Sequence, residues 1–475
     1  MSTINTNIPS LVAARVLNKN NELMTRSLER LSTGLRINRG ADDPAGLIAS
    51  ETLRGQKAAI AAAIENAGRA NNFLSVAEGA LQEVSSLLVE LEDLIDRSAS
   101  ESGLTDEEIA ANQLQIDSIL DTINRIATTT TFAGNKVLDG SLDYVTSGVT
   151  ASQIADVTVN SARLAEGGYR TVTVNVTASA QTAQLVHTLS SGSGISGNVT
   201  LSIGGNKGTD SFSFASGTSL DDVAAAVNES TELTGVSAYV SGASIYFNST
   251  RYGSDQFVSV EAVSGTFTVT GGDSSTKDYG VDATVQINGT TADTKGLVAS
   301  VRSATLDVEL TLAEDYGGGT TNSPTTFYIT GGGATFSISP DVTLAGQVAV
   351  GIRSTATTSL GSSSVGRLSS LGSGQANALA SGNFATAQEI VRLASEQVAS
   401  LRGRLGAIQQ NTLTATVNSL QVAYENVTAA ESAIRDTDFA SETSNLTRAQ
   451  ILVQTATATL GLANAAPQNV LSLLR

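Results

Sequence analysis

Val398-Ala-Ser-Leu-Arg-Gly-Arg-Leu-Gly-Ala-Ile408 carries apolar residues at Val398, Leu401, Leu405 and Ile408, at steps of 3, 4 and 3. The pattern breaks there and resumes at Leu413, Val417, Leu420, Tyr424 and Val427, with Ile434 seven residues further on. Alternating steps of 3 and 4 set a narrow apolar stripe along one side of a helix. One helix cannot bury such a stripe alone, so residues 385–475 require a partner helix. The other end of the chain supplies it. Ala14, Leu17, Asn21, Met24, Leu28, Leu31 and Leu35 repeat at the same steps, with Pro9 in the first turn behind a cap at Thr6, Asn7 or Ser10. Gly34 weakens the end of this helix. Residues 38–44 interrupt the pattern, and Asp42 or Asp43 caps a second helix that has Pro44 in its first turn. Leu74, Ala77, Leu81, Val84, Leu88, Leu91 and Ile95 are the most regular heptad run in the chain. After a loop at 98–105, Asp106-Glu107-Glu108 opens a third helix with its charges at the favourable dipole end. Its stripe is Ile109, Ile116, Ile119, Ile123 and Ile126, and the β-branched run Thr128 to Thr131 ends it.

Between residues 144 and 366 the period changes to 2, and Gly, Ser, Thr and Val dominate. Thr171-Val-Thr-Val-Asn-Val-Thr177 alternates strictly. Short strands are also expected at Val199 to Ile203, Ser211 to Phe214, around Tyr239, and at Ile245 to Phe247, Phe267 to Val269, Val285 to Ile287 and Leu306 to Leu312. One helix sits among them, from a Ser219 cap through Val223 to Val227. Gly317 to Gly319 and Gly331 to Gly333 read as turns. The Ser- and Gly-rich stretch 359–374 leads back to helix. The expected fold is therefore α+β and multidomain. Both chain ends form a long α-helical coiled-coil rod, and one or two β-rich domains are inserted in the middle.

Composition narrows the function. With no Cys there is neither a disulfide nor a thiolate metal site, and the single His187 excludes a two-histidine zinc motif. A net charge of −18 without basic stripes argues against a nucleic-acid partner. No apolar run reaches membrane-spanning length, and the amino terminus lacks the pattern of a cleaved signal peptide. No phosphate loop and no nucleophile–base pair stands out. His187 reads as an ordinary strand residue and Asp221 with Asp222 as helix capping, so no cofactor, no metal and no catalysis are expected. Asn175-Val-Thr and Asn198-Val-Thr fit the N-glycosylation pattern but read as plain strand residues.

Leu28-Glu-Arg-Leu-Ser-Thr-Gly-Leu-Arg-Ile-Asn38, followed by Asp42-Asp43-Pro44-Ala45-Gly46-Leu47, resembles the N-terminal signature of bacterial flagellins. Thr131-Phe-Ala-Gly-Asn-Lys-Val-Leu-Asp-Gly140 resembles the segment where their N-terminal helices end. Ala433-Ile-Arg-Asp-Thr-Asp-Phe439, Asn445-Leu-Thr-Arg-Ala-Gln-Ile-Leu452 and the closing Ala466 to Arg475 resemble their C-terminal motifs. Ser219 to Asn228, Gly235 to Tyr239 and Tyr252 to Phe257 are similar to a small β-rich module inserted in many flagellins and some hook-associated proteins.

The resemblance implies a subunit that self-assembles into the flagellar filament for swimming motility. It also implies export, unfolded, through the flagellar type III apparatus to an extracellular site, without a cleaved signal. The implied partners are further copies of the chain, an export chaperone, hook-associated and cap proteins, and other flagellins sharing the filament. The implied division is 1–40 and 435–475 as inner-core segments, 41–143 and 367–434 as the helical rod, and 144–366 as the surface insert. The core seam is expected at Leu17, Met24, Leu28, Leu31, Leu35, Leu81, Val84, Leu88, Leu446, Ile451, Leu460, Leu471 and Leu474. Arg36, Asp42, Asp43, Arg435 and Asp436, with Arg402 and Arg404, lie beside it, either as inter-subunit ion pairs or as solvated charges worth at most about 1 kcal/mol each. Small apolar faces at Ala58 to Ala63 and from Ala456 to Ala466 are expected to be largely exposed in a monomer, and residues 1–40 and 435–475 to fray there.

In recognised flagellins a stretch contacts the vertebrate innate flagellin receptor. The matching residues here are Leu81, Gln82, Glu83, Val84 and Leu87, with Gln115. Glu83 and Gln115 reverse or remove the family's charges, so weak activation or none is expected. Two other readings are a hook–filament junction protein and an insert acting as an adhesin or glycan-degrading enzyme.

Overall fold

The computed structural model describes residues 6–100, 105–164, 168–189, 194–303, 305–319 and 323–473, with side chains up to residue 465. The chain divides into two compact units. The first comprises residues 1–71, 337–346 and 409–475, and the second residues 72–336 and 347–408.

In the first unit, α1 (Ile8–Thr33) begins at Asn7, whose side chain accepts from the Ser10 amide at 3.1 Å, and ends at Gly34. Gly34 adopts φ +72°, the left-handed C-cap that glycine adopts without strain. α2 (Pro44–Ser98) starts behind Asp43, which accepts from the Gly46 amide at 2.9 Å. This choice settles the capping alternatives left open by the sequence. Ile60 and Ala63 of α2 are buried with Leu420 of a later helix, and Ile64, Ala423, Tyr424 and Val427 pack around them.

The second unit holds the remainder of α2 with α3 (Asp106–Thr129), which starts in a full capping box between Thr105 and Glu108. Leu74, Ala77, Leu81, Val84, Leu88, Leu91 and Ile95 are all buried, and the heptad line extends back through Ala67 and Ala70. Ile116, Ile119 and Ile123 are buried from α3, whereas Ile109 and Ile126 are half-buried at its ends.

Two β-domains follow, one nested in the other. The first has a five-stranded antiparallel sheet in the order Thr290–Thr291, Thr284–Ile287, Arg170–Ala178, Thr325–Gly332, Tyr144–Ser147. A four-stranded sheet accompanies it, in the order Asp293–Lys295, Val298–Arg302, Leu306–Leu312, Ile154–Ala162. One core runs through both sheets, including Val172, Val174, Leu310, Phe327 and Ile329. The nested domain has a three-stranded sheet (Gln184–Thr188, Ser244–Ser249, Val236–Ser241) and a four-stranded one (Lys277–Tyr279, Phe257–Ser264, Val199–Gly205, Thr209–Phe214). α4 (Leu220–Glu229), capped by Ser219, places Leu220, Val223, Ala224 and Val227 in that second core. The short helices α5 (Thr231–Thr234) and α6 (Glu314–Gly317) complete the insert. The chain enters and leaves the nested domain through reciprocal backbone bonds between Gln181 and Val281, at 2.8 and 2.9 Å.

The strand expected at Phe267 to Val269 does not form. Phe267 and Val269 are buried, but beyond them only Thr270 bridges to Val186, and Gly265 and Gly271 turn the chain at positive φ on either side. Alternating burial therefore arose there without a ladder.

α7 (Phe384–Ala407) buries Ala387, Ile390, Val391, Ala394, Val398, Leu401 and Leu405 in the second unit. A π-helix, Ile408–Thr414, joins it to α8 (Ala415–Arg435). The wider π turn absorbs one extra residue, so the buried line steps eight positions from Leu405 to Leu413 where a heptad would take seven. That is the physical content of the break seen after Ile408. α9 (Phe439–Leu473) closes the chain.

Candidate assembly surface

α1 and α9 lie side by side and antiparallel within the first unit. Asn7 Nδ2 donates to the Ala463 carbonyl at 2.8 Å, Asn20 Nδ2 to that of Leu452 at 3.3 Å, and Arg30 lies 3.7 Å from Glu442. The buried residues of α1 are Ala13, Asn20 and Ser27, one per heptad. Those of α9 among the described side chains are Glu442, Ala449 and Ala456. The two helices thus meet through small or polar residues, and the seam expected from the leucines is rotated. Leu17, Met24 and Leu31 flank the line half-buried, as do Leu446 and Leu460, while Leu28 is exposed. Ile451 is exposed as well. Leu471 lies in helix but its side chain is outside the described residues, and Leu474 falls outside them altogether.

A seam of small residues leaves the large apolar side chains pointing away. Ile8, Leu11, Val12, Val16, Leu23 and Leu28 of α1 are exposed, with Phe439, Ile451, Leu452 and Leu462 of α9. A groove lined by Val12, Val16, Leu452 and Ala456 runs between them. The expectation that the small apolar faces lie exposed holds only in part. Ala58, Ala61 and Ala62 are exposed, but Ile60, Ala63 and Ala456 are buried.

The motif charges gather where α1 ends and α9 begins. The Arg36 amide donates to the Arg435 carbonyl at 2.7 Å and the Thr437 amide to that of Gly34 at 3.0 Å, a short antiparallel bridge. The Arg36 guanidinium reaches the Ile434 carbonyl through Nε at 3.2 Å and Nη2 at 2.5 Å, placing a cation at the C-terminus of α8. Asp42 accepts from the Asn38 and Arg39 amides, and Asp436 from Ser432 Oγ at 2.6 Å. Arg435 pairs with Glu51 at 2.9 Å. The hydrogen bond from Arg54, with the charges of Arg54 and Arg435 and the Arg435 hydrogen bond, holds the Glu51 carboxyl below its ordinary pKa against the opposing effect of desolvation. Glu431 raises Lys57 through a contact of 2.9 Å. These residues make contacts within the chain, and Arg36 and Asp436 remain exposed. Among the described residues Arg30 Nε, Arg435 Nε and Thr437 Oγ1 are buried there without a hydrogen-bond partner.

In the second unit Leu81, Val84 and Leu88 are core, whereas Gln82, Glu83 and Gln115 are exposed and Leu87 is half-buried. Arg402 pairs with Glu78 at 3.0 Å. Arg404 binds Asn160 Oδ1 and, at 3.1 Å, the Gly351 carbonyl, a buried role that its sequence spacing did not indicate. His187 stacks on Phe267 and its Nδ1 contacts the Thr268 carbonyl at 2.7 Å. Ser219 Oγ accepts from the Asp222 amide at 3.1 Å, as capping requires, and donates to the Asp222 carboxylate at 2.7 Å. Among the described residues no cluster of His, Cys, Asp and Glu is arranged to hold a metal ion, and no helix is long and apolar enough to cross a membrane.

Residues 4–143 match the bacterial flagellin N-terminal helical region, and residues 388–474 the bacterial flagellin C-terminal helical region. Residues 200–250, inside the nested domain, match the flagellin hook IN motif. The B-type flagellin of Pseudomonas aeruginosa is 30% identical, over 100% of this chain and 99% of its own length. The flagellin of Clostridium tyrobutyricum is also 30% identical, over 97% and 98%. Among solved structures, FliC from Burkholderia pseudomallei aligns over 72% of this chain and 99% of its own, at 15% identity and a TM-score of 0.25.

Proposed function

The chain belongs to the bacterial flagellin family and is a structural subunit of the flagellar filament, not an enzyme, and on that premise we propose that the α1–α9 pair is its polymerisation surface. The observation that carries this reading is the inverted helix pair, with small residues between the helices and large apolar ones outside. Neighbouring copies cover the outer rows, and at about 25 cal/mol per Å² of apolar surface that burial drives growth. The contact is heterologous and does not close, so it propagates as a filament.

Residues 1–40 and 435–475 form the inner core in this reading. Residues 41–143 and 367–434 supply the helices outside it, and 144–366 the surface insert. Leu17, Met24, Leu28, Leu31, Leu35, Leu446, Ile451, Leu460, Leu471 and Leu474 serve the core, and the bridge at Arg36, Arg435 and Asp436 sets the register of the terminal pair. The chain is exported unfolded by the flagellar type III apparatus and works outside the cell. Its absence of cysteine and low aromatic content suit that route. An export chaperone, cap and hook-associated proteins and other flagellins are its further partners. The test is seeded growth of purified chain, beside a version ending at Thr437, followed by electron microscopy. Long uniform filaments from the intact chain alone support the reading. An intact chain that only caps added seeds overturns it in favour of a junction protein.

A further inference from the structure

We infer that Arg404 is the positioning residue that fixes the β-rich insert on α7, through a guanidinium that ties this helix to two distant segments. The inference concerns the second unit alone and does not depend on how the chain ends assemble. Arg404 lies on α7, its Nη1 on Asn160 Oδ1 in strand Ile154–Ala162, and its Nη2 on the Gly351 carbonyl at 3.1 Å in the segment that leaves the insert. Those partners are themselves tied together, because the Gly351 amide donates to the Asn160 carbonyl at 2.8 Å. Gly351 has no room for a side chain. A Cβ there would stand 2.6 Å from the Val159 carbonyl oxygen and 2.9 Å from the Tyr144 ring. Its carbonyl is thereby held where the guanidinium reaches it.

The network continues through Asp307. Asn160 Nδ2 donates to Asp307 Oδ1 at 3.1 Å, and Asp307 Oδ2 accepts from Arg302 Nε at 3.0 Å. Asn160 is buried, so its side chain has no solvent alternative to these partners. Arg353 closes the other flank, donating to Thr158 Oγ1 at 2.7 Å and lying 3.6 Å from Asp156. Burial pushes the Arg404 pKa below its ordinary value, with Asp307 acting the other way. A planar fork that serves two acceptors on two segments at once suits Arg and not Lys. Among the described residues an ion pair also runs from α7 to the insert, Glu389 with Arg251, but it is half in solvent and screened, so it fixes orientation weakly.

The chain has no cysteine, so spin labels can be placed at will. Ala399→Cys on the exposed side of α7 and Thr290→Cys on the outer strand of the insert report the distance between them. The parent is expected to give one narrow distance. Arg404→Met is expected to widen or split it, and Arg404→Lys not to restore it, while the insert's own melting transition persists. Asn160→Leu, which leaves α7 intact, is expected to act as Arg404→Met does, and Asn160→Asp to keep the narrow distance. A narrow, unshifted distance in Arg404→Met or in Asn160→Leu overturns the inference. A melting transition of the insert lost together with the distance in both variants overturns it as well, because the guanidinium is then ordinary core.

Discussion

Leu11→Ala separates the stability of the subunit from the stability of the filament. Leu11 lies on the outer row of α1 with 68% of its surface exposed. Fully burying a leucine side chain contributes about 1.5–3 kcal/mol, so covering the remaining two-thirds in the filament contributes about 1–2 kcal/mol per subunit. That difference corresponds to about a 5- to 30-fold rise in the critical concentration for seeded growth. The monomer loses almost nothing, within about 0.5 kcal/mol, because the side chain is not packed there and alanine is the better helix former. The assay is the concentration left unsedimented at the end of seeded growth, beside thermal unfolding of the monomer. An unchanged critical concentration refutes the assignment of this face to a subunit contact. A fall in the monomer's melting temperature refutes the outward orientation of the row.

Leu88→Ala, at a fully buried position of α2, is expected to destabilise the monomer by about 2–5 kcal/mol, read by denaturant unfolding. Ala456→Leu overfills the seam between α1 and α9, and hydrogen exchange of both helices in the monomer is expected to rise, at a cost of about 1–3 kcal/mol. Asp282 accepts from Ser254 N and Oγ and from Gly296 N, and these bonds outweigh burial and hold its carboxyl below the ordinary value. Its stabilising effect is therefore present above the unfolded pKa of about 3.9 and lost as pH falls through the lower folded value. Asp282→Asn is expected to reduce stability at neutral pH and to flatten that part of the acid limb, measured as melting temperature against pH. The intact protein is expected to activate the innate flagellin receptor weakly or not at all in a reporter assay, and Glu83→Arg to raise the response; strong activation by the unaltered chain contradicts the expectation.

The heptad line of α2 was legible because its leucines have one role, burial within the chain, and spacing alone reveals that role. In α1 the same spacing misled. Its leucines are exposed or half-buried, and the intramolecular seam falls to Ala13, Asn20 and Ser27, residues too small or too polar to register as a stripe. The π-helix showed itself only as a lost phase after Ile408, since one inserted residue shifts a pattern without naming the geometry that absorbs it. Strict alternation found strands such as Leu306–Leu312, but at Phe267 to Val269 it reported burial without pairing. Helix caps at Ser219 and Asp43 are local chemistry and were readable. The partners of Arg36 and Arg404 were not, because the first lie about 400 residues away in sequence and the second reside in folded β-structure.

The central claim is that the outer rows of the α1–α9 pair are contacts between subunits. An electron cryomicroscopy map of the filament at side-chain resolution tests it most directly. The expected result places Ile8, Leu11, Ile451 and Leu462 against neighbouring copies, with Ala13, Ala449 and Ala456 still facing one another within a subunit. A map in which those large side chains face water, or in which the two helices of one chain have separated, contradicts it.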